Sequence, residues 1–154
     1  MDSAGRIDRR GGSLDDIAEE LPLRAAMLSR VFFARSGVPV SRIEAGVLRA
    51  LTRRPRRITE LAAREGVTQP GITRLVDRLA GRGWVARDAD PSDGRVVLVT
   101  LTDAGRAVHD SLRAEYRAVM HEEMATLAER DVRTLADAIE ILDRLIERLT
   151  GERP

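Results

Sequence analysis

Mainly α, with one small β-hairpin, is the fold class this sequence predicts, and three observations carry it. Caps, breakers and three- and four-residue apolar spacing mark six helical stretches. Two of these are short and meet at Gly66-Val67, the tight junction of a helix-turn-helix. Directly after them, Trp84-Val85-Ala86 and the β-branched run Val96 to Leu101 read as two strands, separated by the polar segment Arg87 to Arg95. Helix, short strand, charged turn and strand in that order describe a winged helix-turn-helix, here flanked by N- and C-terminal helices.

Each element has its own signal. Residues 1–12 are polar, close on Gly11-Gly12, and are expected to form a mobile tail. Ser13 with Asp16 three residues on reads as a helix start, followed by Leu14, Ile17, Leu21, Ala25, Leu28 and Phe32 on one face. Pro22 falls inside this run and is expected to kink or restart the helix, which Gly37-Val38-Pro39 then ends. Ser41-Arg42-Ile43-Glu44 is a capping box for a second helix over about 42–53, with Val47, Leu48 and Leu51 inward and Pro55 as its stop. Thr59 is expected to cap a short third helix, Glu60 to Arg64, ended by Gly66. Thr68 caps a fourth, from Gln69 to about Gly81, whose inner stripe is Ile72, Leu75, Val76 and Leu79. Thr102 caps a long fifth helix reaching about Met124. A sixth, over about 130–149, carries Val132, Leu135, Ile139, Leu142, Ile146 and Leu149 in a seam of the kind that packs on another helix. The predicted organisation is thus a tail (1–12), a helical region (13–37 and 102–150), and a winged helix-turn-helix (41–101).

Composition narrows the function. At 154 residues the chain is one domain or one subunit, with 43 % apolar and 33 % charged residues. All 26 basic residues are Arg, and the net charge is only +1, but its distribution is uneven. Residues 49–99 hold eleven Arg against six acids, a net of +5, while 1–48 are neutral and 100–154 carry −4. A basic centre between neutral and acidic flanks fits a nucleic-acid reader mounted on a separate scaffold. With no Cys, thiolate catalysis, thiol redox sensing and Cys-based zinc sites are excluded. No apolar run approaches a membrane span and no signal-peptide segment opens the chain, so the expected location is the cytoplasm.

The outer face of the fourth helix, Gln69, Thr73, Arg74, Asp77 and Arg78, is where chemistry concentrates. With Thr68 at its start, this face offers Gln and Arg, the residue types that make bidentate contacts to adenine and guanine. Gly71 keeps the surface low and permits close approach. In the hairpin turn, Asp90-Pro91-Ser92-Asp93-Gly94 combines a fixed φ, side-chain turn formers and tolerance of positive φ, with Arg87 and Arg95 at its shoulders. An EF-hand reading of these acids fails, because its sixth and twelfth positions would be Asp93 and Val99. His109 and His121, on the fifth helix, have no carboxylate partner by spacing and are expected at the surface or a dimer interface. No nucleophile–base pair, phosphate loop or cofactor motif is present, so no enzyme activity and no cofactor are expected. The rival reading is a helical dimer that uses the winged helix as a protein-docking surface; a polar, Arg-bearing face disfavours it, since docking surfaces favour apolar anchors.

Taken together, the helix-turn-helix from Ile58 to Gly83, Trp84-Val85-Ala86-Arg87, the Asp90-Pro91-Ser92-Asp93-Gly94-Arg95 motif and Leu101-Thr102-Asp103-Ala104-Gly105 resemble the MarR family of bacterial transcriptional regulators. The likeness covers about residues 13–150, and Asp-Pro-x-Asp-x-Arg is its most specific part. It implies a two-fold dimer in which the flanking N- and C-terminal helices (13–37 and 102–150) are dimerisation helices, with a base of helices one, five and six and two DNA-reading lobes. By position, Thr68, Gln69, Pro70, Thr73 and Arg74 would face the major groove, with Arg78 farther along the same face. Arg95 would lie in or beside the minor groove, its guanidinium held by Asp93, and Arg87, Asp90 and Gly94 would support the wing. This chain has Gly94 where another Arg is frequent in the family. The resemblance further implies a repressor of pseudo-palindromic promoter sites and a small-molecule effector pocket, for which Met27, Val31, Phe32, Phe33 and Tyr116 are the candidates. Leu14, Ile17, Leu135, Ile139, Leu142, Ile146 and Leu149 are the candidates for the dimer interface. The expected partners are double-stranded DNA, a second copy of the chain and an effector, with no membrane.

Overall fold

A computed structural model describes residues 12–35, 37–90 and 93–151, with the backbone alone at 90 and 93–95. The chain divides into two units, residues 1–115 and 116–154. In the first unit the order is α1 (Leu14–Arg35), α2 (Arg42–Leu51), β1 (Arg56–Arg57), α3 (Ile58–Glu65), α4 (Gln69–Gly81), β2 (Val85–Asp90), β3 (Asp93–Leu101) and most of α5 (Asp103–Met124); α6 (Glu129–Thr150) lies in the second. Among the described residues no helix is long and apolar enough to cross a membrane.

Helix starts follow the local chemistry closely. Ser13 N–H donates to Asp16 Oδ2 at 2.9 Å while Asp16 N–H donates to Ser13 Oγ at 3.1 Å, satisfying two orphan donors at the start of α1. The Ser41–Glu44 box does the same for α2. Thr68 Oγ1 accepts from Gly71 N–H, and Thr102 Oγ1 from Gly105 N–H. Thr59 does not cap α3: the helix begins at Ile58, two residues before the expected Glu60, and Glu60 closes it by accepting from Arg57 N–H at 2.7 Å. Pro22 neither ends nor restarts α1, which runs through it as one helix of 22 residues.

The core lies entirely in the first unit. Val47, Leu48 and Leu51 of α2, Ile58 and Leu61 of α3, and Ile72, Leu75, Val76 and Leu79 of α4 close around Val85 and Val99 of the sheet. Full burial of each Leu or Ile contributes about 1.5–3 kcal/mol, so this cluster is what fixes α4 relative to the strands. Neither α1 nor α6 contributes a buried residue.

The sheet has three antiparallel strands in the order β1-β3-β2. β1 escaped the sequence reading. It is two arginines long, and Arg56 is only 5 % exposed, with its Nε donating to Ala50 O at the end of α2. The hairpin strands reach farther into the polar segment than expected, so Arg87, Asp88 and Ala89 are strand rather than turn. Between the pairs Ala89–Val97 and Asp90–Asp93 the register shifts, leaving Gly94, Arg95 and Val96 of β3 without a partner on β2. Pro91 and Ser92, the predicted turn tip, lie outside the described residues.

Candidate nucleic-acid interface

Strand alternation decides what the wing can present. Residues directly opposed across strands share a face, so Arg56, Val99 and Arg87 form one row, and Val85, Leu101, Ala89 and Val97 lie on the same side. That side carries the buried Val85 and Val99 and therefore faces the core. Arg87 thus points toward α4, and its guanidinium pairs with the Asp77 carboxylate on the outer face of that helix. The opposite side of the sheet carries Asp88, which accepts a hydrogen bond from Thr100 Oγ1 at 3.2 Å. Arg87 therefore ties the wing to the helix beside it.

On α4 the arrangement is simple. Thr68, Gln69, Pro70, Arg74 and Arg78 are exposed, and Thr73 is half-buried with its hydroxyl donating to Gln69 O at 2.9 Å. The side chains of Arg74 and Arg78 make no hydrogen bond or ion pair among the described residues, whereas Asp77, the one acid on this face, is matched by Arg87. The result is a polar face with uncompensated positive charge, standing on a helix pinned from behind by four buried side chains. Arg82, at the far end, is used internally: it stacks on the Trp84 ring at 4.8 Å and faces the buried Glu44 at 3.4 Å.

Gly66 at φ 65° makes the turn between α3 and α4, with its N–H and that of Val67 returning to carbonyls of α3. A second close fit sets the root of the wing. A Cβ at Gly105 would stand 2.0 Å from Trp84 O, and Thr102 donates its N–H to Trp84 O and its hydroxyl to Gly83 O. Only glycine lets α5 begin against the start of β2.

The remaining candidates separate. The side chains of Asp90, Asp93 and Arg95 lie outside those described, so the Asp93–Arg95 contact implied by the family is not on view; Gly94 contributes backbone to the shifted part of β3. Of the effector-pocket residues, Phe33 lines a cavity of about 270 Å³ in the first unit, whereas Met27, Val31 and Phe32 do not. Tyr116 belongs to the second unit. His109, expected at the surface or a dimer interface, is not at the surface of the chain: it is 8 % exposed, lines that cavity, and its Nδ1 lies 3.1 Å from Asp110 Oδ1. Spacing missed this because the wall that buries it comes from α1 and α2, far away in sequence. His121 is exposed. The dimer candidates Leu14, Ile17, Leu135, Ile139, Ile146 and Leu149 are all exposed, and Leu142 is half-buried. Among the described residues no cluster of His and carboxylate side chains could hold a metal.

Helix-turn-helix, hairpin and charged outer face together define a winged-helix DNA-binding protein. The sequence model of the MarR family matches residues 36–96. An HTH-type transcriptional regulator of Mycobacterium tuberculosis is 35 % identical over 126 residues, which span 79 % of this chain and 88 % of that one. Apo wild-type MarR of Escherichia coli, 24 % identical, superposes with a TM-score of 0.70 over 87 % of this chain and 98 % of its own, a likeness of fold. The transcriptional repressor CouR, solved on a 23-mer DNA duplex, is 27 % identical with a TM-score of 0.61 over 84 % of this chain and 91 % of its own. The chain belongs to the MarR family; it is a DNA-binding transcriptional regulator and not an enzyme.

Proposed function

We propose that the chain is a homodimeric repressor that occludes promoters by placing α4 of each copy in successive major grooves of a pseudo-palindrome, in the cytoplasm, and that a small-molecule effector releases it. The observation that carries this reading is the α4 face, where Arg74 and Arg78 are unpaired among the described residues while Asp77 is neutralised by Arg87. Thr68, Gln69, Pro70, Thr73 and Arg74 would meet base edges and nearby backbone, with Arg78 and Arg95 reaching phosphates or groove floor. Half-sites would then be separated by about one helical turn, ~10 bp.

Dimerisation is supported by what the fold leaves uncovered. α1 exposes Leu14 at 82 % and α6 exposes Ile139 at 58 %, each within an apolar stripe that buries nothing in the monomer. Contiguous apolar surface of this kind is costly to leave in water. A second copy of the chain would cover both stripes.

Selection of genomic fragments by the purified protein, sequenced with Arg74→Ala alongside, tests the reading. A palindrome enriched by the wild type and lost or relaxed in the variant is the expected result. No enrichment by the wild type, or an unchanged preference in the variant, would overturn the assignment of α4 as the reading element.

A further inference from the structure

Between the reading helix and the wing the chain runs Gly81-Arg82-Gly83, so this turn carries a single side chain, that of Arg82. A Cβ at Gly81 or Gly83 would meet nothing within 4 Å, and Gly83 sits at φ 72°. Arg82 reaches out of this open turn toward two partners. Its guanidinium lies over the Trp84 ring, 4.8 Å from the centroid, and its Nη1 lies 3.4 Å from Glu44 Oε1. A planar, delocalised cation can stack on a ring and meet a carboxylate at the same time.

Glu44 is the fixed end of this contact. It is buried, and its Oε2 accepts from Ser41 N–H at 2.8 Å to close the cap of α2. Val47, Leu48 and Leu51 in turn hold α2 in the core. Arg82 is the one cationic partner of Glu44 among the described residues, so losing the guanidinium would strand a buried carboxylate. From the other side Thr102, at the start of α5, donates its hydroxyl to Gly83 O and its N–H to Trp84 O. The root of the wing is thus fastened to α2 through Arg82 and to α5 through Thr102. Farther out, the Arg87–Asp77 pair also ties β2 to α4, but both of its side chains are exposed, and exposed pairs hold weakly.

We propose that Arg82 is a positioning residue for DNA reading: by joining Glu44 to Trp84 it fixes the direction in which the wing leaves the reading helix, and so where Arg95 meets the duplex. The inference rests on the wing contact proposed above. Leverage makes the root decisive. β2 starts at Val85, directly after Trp84, and is six residues long. At about 3.3 Å per residue it spans about 20 Å, so a tilt of about 10° at the root moves its far end by about 3 Å. A shift of that size breaks any contact made at hydrogen-bond distance.

The test uses the full chain, which has no Cys and so accepts a pair of spin labels cleanly, at the exposed positions Ala63→Cys on α3 and Ala89→Cys on β2. Dilution with unlabelled chain keeps the measured pair within one copy. The label distance is expected to form one narrow distribution that broadens in Arg82→Met, which keeps an apolar stem on Trp84. It should broaden likewise in Glu44→Gln, which keeps an acceptor for Ser41 N–H. An unchanged distribution in either variant overturns the clamp. On the selected operator fragment, Arg82→Met is expected to weaken binding about tenfold and lower the salt slope by about one, with the selected palindrome unchanged. In an Arg95→Ala background the same substitution is expected to add no further loss, whereas full additivity of the two overturns the positioning role. If Arg95→Ala alone leaves affinity and slope unaltered, the wing contact is refuted instead, and the label distances still decide the clamp.

Discussion

Replacing Gly105 by Ala should destabilise the fold even though it inserts a better helix former. Alanine in a helix gains about 1 kcal/mol over glycine. Against that, the new Cβ would stand 2.0 Å from Trp84 O and 2.9 Å from Trp84 C, which are backbone atoms that cannot swing aside, and 2.8 Å from Leu101 Cδ1. Relief requires α5 to draw back from the start of β2. This loses the Thr102 N–H to Trp84 O bond at 3.2 Å and the Thr102 hydroxyl to Gly83 O bond at 2.6 Å, about 1 kcal/mol each. It also disturbs the cap at Gly105 N–H, about 1 kcal/mol more. The net expectation is a loss of about 2 kcal/mol, which at a urea dependence of about 2 kcal/mol per molar moves the midpoint down by about 1 M. Gly81→Ala is the internal control: it lies in the last turn of α4 with nothing within 4 Å, and should raise stability by about 0.5–1 kcal/mol. Urea titrations of the two variants should therefore move in opposite directions. If Gly105→Ala were neutral or stabilising, the close approach of α5 to the wing root would be refuted.

Three further outcomes can be checked. Arg95→Ala should weaken DNA binding and lower the slope of log affinity against log salt by about one, as expected for one lost phosphate contact; an identical slope removes Arg95 from the interface. Ile146→Arg places a charge in the exposed stripe of α6, and light scattering should report a monomer, whereas an unchanged dimer would put the interface elsewhere. Stability should depend on pH through Glu65 and Glu60 in separate windows. Burial holds Glu65 above its ordinary 4.5, so its contribution is fully present below that value and is lost as pH rises through the folded pKa. The Arg54 hydrogen bond holds Glu60 below 4.5, so its contribution is present above that value and is lost as pH falls through its folded pKa. Glu65→Gln should flatten only the higher window in pH-dependent urea unfolding.

What could be read in the sequence was whatever a few neighbouring residues decide. Ser13 with Asp16, Ser41 with Glu44, Thr68, Thr102 and Gly66 each cap or end a helix through contacts within four residues, and each does so in the structure. The inner stripes of α2 and α4 were legible for the same reason. β1 was not, because two arginines carry no strand signal and only the distant β3 makes them one. Thr59 looked like a cap, but the Arg57 N–H to Glu60 bond starts the helix earlier. Of the interface, the exposed residues of α4 were visible from helical spacing, while the partnership of Arg87 with Asp77 was not. Counting alternate positions from the buried Val85 would have turned Arg87 toward α4 and exposed that pairing. The close approach of the Glu65 carboxylate to Gly46, where a Cβ would stand 2.3 Å from Glu65 Oε2, brings a side chain from another helix, and nothing local announces it.

The Asp77–Arg87 pair has a consequence for anyone wishing to redirect this regulator to a new operator. Asp77 stands in the middle of the face a randomised library would target, between Arg74 and Arg78, yet its carboxylate faces a strand of the same chain. Varying it along with its neighbours would mix two effects, altered base preference and a loosened hairpin, and selection would discard useful reading residues along with the damaged hairpins. A library restricted to Gln69, Thr73, Arg74 and Arg78, with Asp77 and Arg87 kept as a matched pair, would explore recognition on an unaltered frame.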